Sequence, residues 1–131
     1  MKLFSVFVVL VFSGVLNAET AKVSMVSPKN GQSVPATFKV QFGLMGMKIR
    51  PAGEDVKDKT TGHHHLIIDG AFIPEGQVVP TDDTHKHFGK GQTETEITLS
   101  KGKHTLTLQL ADGAHISYGK SLSTTVEVIV K

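Results

Sequence analysis

Alternation of apolar and polar positions dominates the chain from Val23 onward. Phe38, Val40 and Phe42 alternate with Lys39 and Gln41, the pattern of a strand with one face on a core and the other on water. Val23-Ser-Met-Val26 alternates as well and stops at the turn-forming run Ser27-Pro28-Lys29-Asn30-Gly31. In the last third, residues 93–99 alternate, Lys101-Gly102 turns the chain, and Leu106, Leu108 and Leu110 share one face of a strand over residues 103–110. Asp112-Gly113 marks the next loop, and residues 122–130 close as a strand with Val126, Val128 and Val130 aligned. No segment carries a helical period of useful length. Short strands punctuated by Gly and Pro predict an all-β fold, an antiparallel immunoglobulin-like β-sandwich of about seven strands.

The middle of the chain is less regular. Residues 44–61 form a long charged connection with a Pro-Ala-Gly break, a length that in small domains often accompanies function. Residues 63–69 read as a strand, yet Leu66, Ile67 and Ile68 put apolar side chains on both of its faces. The pattern therefore leaves open which face meets the core. Residues 71–79 predict one short edge strand broken at Pro74.

Ahead of the domain, Met1-Lys2 supplies a positive start and residues 3–12 an apolar run too short to span a bilayer comfortably. Asn17-Ala18 before Glu19 offers a cleavage site, although Leu16 is larger than the small residue preferred there. The expectation is a signal peptide over residues 1–18 and a single sandwich domain over residues 19–131, periplasmic or secreted. The competing reading of the first segment is an N-terminal anchor. No second apolar stretch approaches spanning length, so the mature chain is expected to have no membrane span. A net charge of +2 without a basic block gives no reason to propose nucleic acid as a partner. Cysteine is absent, which excludes disulfides, thiolate nucleophiles and thiolate metal sites. The scarcity of aromatics and the missing Trp argue against a stacking platform for sugars or bases.

Histidine is where chemistry concentrates. Five of the seven histidines lie between Gly62 and Thr95, as His63, His64, His65, His85 and His87. On a strand, residues i and i+2 share a face roughly 6.6 Å apart, so His63 with His65, and His85 with His87, form two possible chelating pairs while His64 faces away. If residues 71–79 cross the sandwich once, both pairs gather at one end, together with Met47 in the long loop and His115 after the Asp112 turn. His104 then stands alone at the other end, at a corner suited to a structural role. Neutral imidazole suits copper, zinc and nickel, Met47 would add a soft thioether, and Asp82, Asp83 or Asp112 could ligate or orient an imidazole. The candidate metal ligands are His63, His65, His85, His87, His115 and Met47. The alternative is a hydrogen-bonded histidine network without metal, with titration near pH 6 to 7 as a further use of such a cluster. Gly89-Lys90-Gly91 lacks the phosphate-loop pattern, and no nucleophile elbow occurs.

Three segments carry a resemblance to a known family: GHHHLIID from Gly62, the HxHFGxGQTE pattern from His85 to Glu94, and GxHTLxLxLxD from Gly102 to Asp112. With the upstream FGLMGMKIRPAG, they resemble the bacterial family catalogued as domain of unknown function 4399, over roughly residues 38–130. The resemblance implies a small exported domain with histidine-rich signatures. This chain departs from the family near its end, where His115-Ile-Ser-Tyr-Gly-Lys stands in place of HxPHxPP, removing a second histidine from that loop.

Three functional classes follow. One is an exported binding module that holds copper or zinc at the histidine end for storage, delivery or stability. A second is a cell-envelope interaction domain in which the histidines are structural and the partner is a protein. The third is a metalloenzyme of the superoxide-dismutase kind, against which the missing cysteines and short chain weigh. A binding module rather than an enzyme is the expectation, with no catalytic residue nominated.

Overall fold

In the computed structural model, which describes residues 8–11 and 20–131, the predicted alternation becomes two packed sheets. The expected signal peptide over residues 1–18 lies largely outside the described residues. The strands are β1 (Lys22–Ser27), β2 (Gln32–Val34), β3 (Thr37–Met45), β4 (Lys48–Ile49), β5 (Thr61–Ile68), β6 (His85–His87), β7 (Glu94–Thr98), β8 (Gly102–Ala111) and β9 (Ser123–Val130). One sheet has the order β1-β3-β7; the other runs β2-β9-β8-β5-β4, with β6 pairing with β5 beside β4. β1 and β2 belong to different sheets, so the chain changes sheet at the Ser27–Gly31 turn. This is an all-β, immunoglobulin-like sandwich. Among the described residues the one helical element is a 3-10 turn at Lys120–Leu122, and none is a helix long and apolar enough to cross a membrane.

The core lies between the sheets. Val40 and Phe42 of β3 face Leu66 and Ile68 of β5, Leu106, Leu108 and Leu110 of β8, and Val126, Val128 and Val130 of β9 in one buried cluster. Each such side chain contributes about 1.5–3 kcal/mol by leaving water. Single-parity apolar stripes on β3, β8 and β9 suffice to fix their register, because a one-residue slip would turn each stripe outward.

β5 differs from its neighbours: all eight of its residues are buried. His64, Leu66 and Ile68 share the face turned to the inter-sheet core, where His64 lies against Phe42 with ring centroids 5.2 Å apart. His63, His65 and Ile67 occupy the opposite face, and a second layer covers it. That layer is the chain from 69 to 84. It folds back over β5 and β8, with Ile73 N–H donating to Gln109 Oε1 (3.1 Å), Thr107 Oγ1 donating to the Gly70 carbonyl (3.0 Å) and Ser117 Oγ donating to the Ile73 carbonyl (2.7 Å). The apolar residues on both parities of β5 thus have two cores to fill.

Residues 71–79 correct the expected edge strand. They rise along the sheet with a single bridge, Val78 to Ile116, and Val79 N–H donates to the His115 carbonyl (2.9 Å). The chain then returns before β6 begins, since Ile68 N–H donates to the Thr84 carbonyl (2.8 Å). Pro74 and Pro80 cannot donate to a ladder, so an irregular path bonded to side chains and to the backbone of residues 115–117 replaces one regular crossing.

Candidate metal centre

Antiparallel pairing of β5 with β6 sets His65 opposite His87 and Ile67 opposite His85. Pairing of β5 with β8 sets His63 opposite Ala111, the last residue of β8. The chain leaving β8 turns at once, and His115 comes back over the His63 end of the strand. One ring nitrogen from each of His63, His65, His87 and His115 lies within 4.8 Å of the others. His65 Nε2 is 3.0 Å from His63 Nε2, and His63 Nε2 is 3.2 Å from His115 Nδ1. The ring centroids of His87 lie 5.0, 5.1 and 4.7 Å from those of His63, His65 and His115.

Burial governs the electrostatics. His63 and His65 are 0% exposed, whereas His87 and His115 are half-buried. Desolvation, with smaller contributions from neighbouring imidazoles, pushes His63 down to about 4 and His65 down to about 2. His87 is lowered by burial and then by His115. The three rings are therefore neutral at pH 7, the form in which imidazole offers a lone pair. Hydrogen bonds within the cluster leave His63 Nδ1, His65 Nδ1 and His87 Nε2 buried without a partner, which costs about 1–3 kcal/mol for each such group.

Two local features hold the flanking rings. Gly89 leaves room for His87, because a Cβ at position 89 would fall 2.2 Å from the His87 ring. His115 has a positive φ of 65° within a turn built on Asp112. The Asp112 carboxylate is almost fully buried and accepts the N–H groups of Ala114 (2.9 Å) and Ile116 (3.0 Å) and the ammonium of Lys59. Burial raises the Asp112 carboxyl, but Lys59 and those N–H groups outweigh it and leave the group below the usual carboxylate range.

Of the six ligands nominated from sequence, the structure brings together His63, His65, His87 and His115. His85 turns to Asp82, with Nδ1 and Oδ1 2.8 Å apart. That bond, followed by the Thr84 N–H, holds Asp82 at about 2. Met47 packs against the margin of the sandwich core. Asp112, weighed as a possible ligand or orienting group, has both oxygens bonded elsewhere. His104 lies apart: Nδ1 meets Asp69 Oδ2 and Nε2 donates to the Ser100 carbonyl, each at 2.8 Å. His64 faces the core with both ring nitrogens unpartnered, and burial pushes it down to about 4. Gly89 and Lys59 were not nominated. The small residue two places after His87 carried the signal for the first, while nothing in the charge pattern singled out Lys59 among its neighbours.

The arrangement offers up to four nitrogen donors. Around an ion with metal–nitrogen bonds of about 2.0–2.1 Å, tetrahedral donors lie roughly 3.3 Å apart. The observed separations reach that range if each ring shifts by less than about 1 Å, a displacement side-chain rotation can supply.

Comparison with solved structures finds an endo-beta-1,4-mannanase from Thermotoga petrophila, 14% identical with a TM-score of 0.52, covering 88% of this chain and 21% of that one. The chain thus spans about a fifth of the mannanase's length, and the likeness concerns the fold alone. Fibronectin(III)-like modules of Clostridium thermocellum CbhA also match, at 16% identity and a TM-score of 0.45, over 83% of this chain and 96% of that one. No curated protein matches. The family model described as a domain of unknown function, DUF4399, matches residues 40–131, which include all four clustered histidines and the turn that carries the last of them. The chain belongs to the DUF4399 family.

Proposed function

We propose that this protein is an exported metal-binding module that holds one copper or zinc ion through His63, His65, His87 and His115. The observation that carries the reading is the convergence of four ring nitrogens within 4.8 Å. All-nitrogen donors suit borderline divalent ions, and the absence of thiolate in the chain and of thioether in the proposed set gives no preference for softer ones. His63 and His65 sit on a strand bonded along both edges, so they are the pre-organised half of the site. His87 and His115 are half-buried and form the side on which an ion enters. A closed site with four protein donors retains an ion more readily than it activates a substrate, so the role is storage, delivery or stabilisation rather than catalysis. Export rests on the signal-like segment at residues 1–18.

A histidine network without metal is the second reading, favoured by the two ring-to-ring contacts at 3.0 and 3.2 Å. Of the buried ring nitrogens left unpaired, His63 Nδ1 and His65 Nδ1 lie away from the meeting Nε2 atoms and stay unpaired under either reading, so His87 Nε2 is the one that weighs against the network. Titration of the metal-stripped mature protein with Cu(II) and Zn(II), followed by calorimetry, separates the two. The metal reading expects one ion per chain with submicromolar affinity, lost in the His63→Ala/His65→Ala double variant and kept in His104→Ala. No stoichiometric binding tighter than micromolar favours the network.

A further inference from the structure

The long charged loop after β4 has no part in the sandwich core, and its contacts converge on one place. Lys59 reaches the buried Asp112 carboxylate. Gly53 N–H donates to the Gly113 carbonyl at 2.9 Å. A Cβ on Gly113 would lie 2.7 Å from the Glu54 carbonyl oxygen and 3.0 Å from Val56 Cα, so the loop is pressed flat against the turn that follows β8. That turn carries His115 in a left-handed conformation with φ 65°, which a non-glycine residue adopts only when its surroundings over-determine it.

Asp112 supplies the side-chain part of that determination, beside the Val79 N–H that donates to the His115 carbonyl (2.9 Å). Its Oδ1 accepts the N–H groups on both sides of His115, those of Ala114 and Ile116, while Oδ2 takes the Lys59 ammonium. Backbone bonds complete the turn: His115 N–H donates to the Asp112 carbonyl (2.9 Å), and Asp112 N–H donates to the Ile116 carbonyl (2.9 Å). The other three clustered histidines lie on β5 and β6 and do not depend on this turn. With both oxygens engaged, Asp112 is a support for the site and not a donor to it.

We propose that Asp112, through the two N–H groups that its Oδ1 accepts, is the positioning residue that sets His115 as the fourth nitrogen of the cluster. This rests on the metal-binding reading only for its consequences in affinity. The position of His115 itself can be read without metal. Losing the carboxylate frees two N–H groups and releases the left-handed residue between them, so the ring swings away and a three-imidazole site remains. Replacement by Asn keeps a side-chain oxygen for the two N–H groups and removes only the ion pair with Lys59.

The test compares wild type, Asp112→Ala, Asp112→Asn, His115→Ala and the Asp112→Ala/His115→Ala double variant, all in the full mature chain. In metal-free protein, proton Overhauser contacts between the His63 and His115 rings, whose centroids are 5.1 Å apart, are expected in wild type and Asp112→Asn and absent in Asp112→Ala. With Cu(II) as probe, the paramagnetic spectrum is expected to change from four coupled nitrogens to three in Asp112→Ala. Affinity should fall roughly 10- to 100-fold, the scale of orienting residues around metal sites, and the double variant should lose no more than His115→Ala alone. Asp112→Asn should keep four nitrogens. If Asp112→Ala keeps the ring contacts, or keeps four nitrogens with affinity within twofold of wild type, the proposal is overturned. Multiplicative losses in the double variant also overturn it. Should Asp112→Ala fail to fold, loss of the ring contacts in Asp112→Asn would count against the assigned role of the two N–H bonds. Failure of wild type to bind any metal would remove the metal reading, while the ring contacts would still decide what holds His115.

Discussion

Replacing His64 with leucine should make the metal-free protein more stable. His64 is 1% exposed and packs against Phe42, and both of its ring nitrogens are buried without a partner. Leucine has a similar volume and needs no hydrogen bond, so the substitution fills the same space. Each unpaired buried polar atom costs about 1–3 kcal/mol, and overpacking around the new branch returns up to roughly 1.5 kcal/mol. For two such atoms the net expectation at pH 7 is a gain of at least about 0.5 kcal/mol. A second signature lies in the pH dependence. Burial pushes His64 down to about 4 from an ordinary value near 6.5, so the unfolded chain takes up a proton at this position first. The stability that a neutral His64 permits is therefore fully present above pH 6.5 and drains as pH falls toward 4. For one proton the slope is roughly 1–1.5 kcal/mol per pH unit. Urea unfolding of wild type and His64→Leu at pH 7.5 and 5.5 measures both effects, provided the dependence on urea is the same in the two proteins. The stability gap should widen in favour of the variant at the lower pH. A loss of more than 1 kcal/mol at pH 7.5, or a gap that does not widen, would show that the His64 ring is satisfied in a way the structure does not contain.

Further outcomes follow from the same contacts. Gln109 is fully buried, accepts the Ile73 N–H and donates to the carbonyls of Gly119 (3.0 Å) and Leu122 (3.3 Å); Gln109→Leu should cost about 2–4 kcal/mol in chemical unfolding by orphaning those groups. Gly89→Ala should displace the His87 ring, weaken Cu(II) binding by about tenfold or more, and change the melting temperature of the metal-free protein little. Asp69 raises His104, with its hydrogen bond the largest cause. The stability from that pair is fully present below pH 6.5 and is lost as pH rises through the higher folded value, so Asp69→Asn should cost more at pH 5.5 than at pH 8.5, read by thermal melting. Saturating copper or zinc at about a hundred times the dissociation constant should stabilise the mature chain by roughly 3 kcal/mol, and a chelator should reverse it.

Much of this architecture could be read from residue pattern, because on β3, β8 and β9 a single apolar parity marks the face turned to the inter-sheet core. β5 resisted the same reading for a physical reason. Leu66 and Ile68 serve the inter-sheet core while Ile67 serves a layer formed by a coil, and strand periodicity carries no information about a covering coil. The same gap left the path of residues 71–79 illegible, since its order comes from the Gln109 and Ser117 side chains and from backbone bonds to His115 and Ser117 rather than from a regular strand. The pairing of His63 with His65 follows from strand geometry alone, and His115 from the sense in which the last strands run. The separation of His85 from His87 depends on Asp82 capturing one ring, a local contact that spacing two residues apart does not encode. Asp112 was legible as one of three loop carboxylates able to ligate or orient an imidazole, with nothing to single it out from Asp82 and Asp83. Its burial, and its hold on the turn around His115, emerge when the loop from residues 50 to 59 is folded against it.

Whether four imidazoles form one metal site can be read by X-ray absorption of the mature protein loaded with one equivalent of Cu(II) or Zn(II). Four nitrogen donors at about 2.0–2.1 Å from the ion are expected, with multiple-scattering features of imidazole that fall to two rings in His63→Ala/His65→Ala. A first shell dominated by water or carboxylate oxygen, or the same spectrum in wild type and the double variant, would contradict a four-imidazole site.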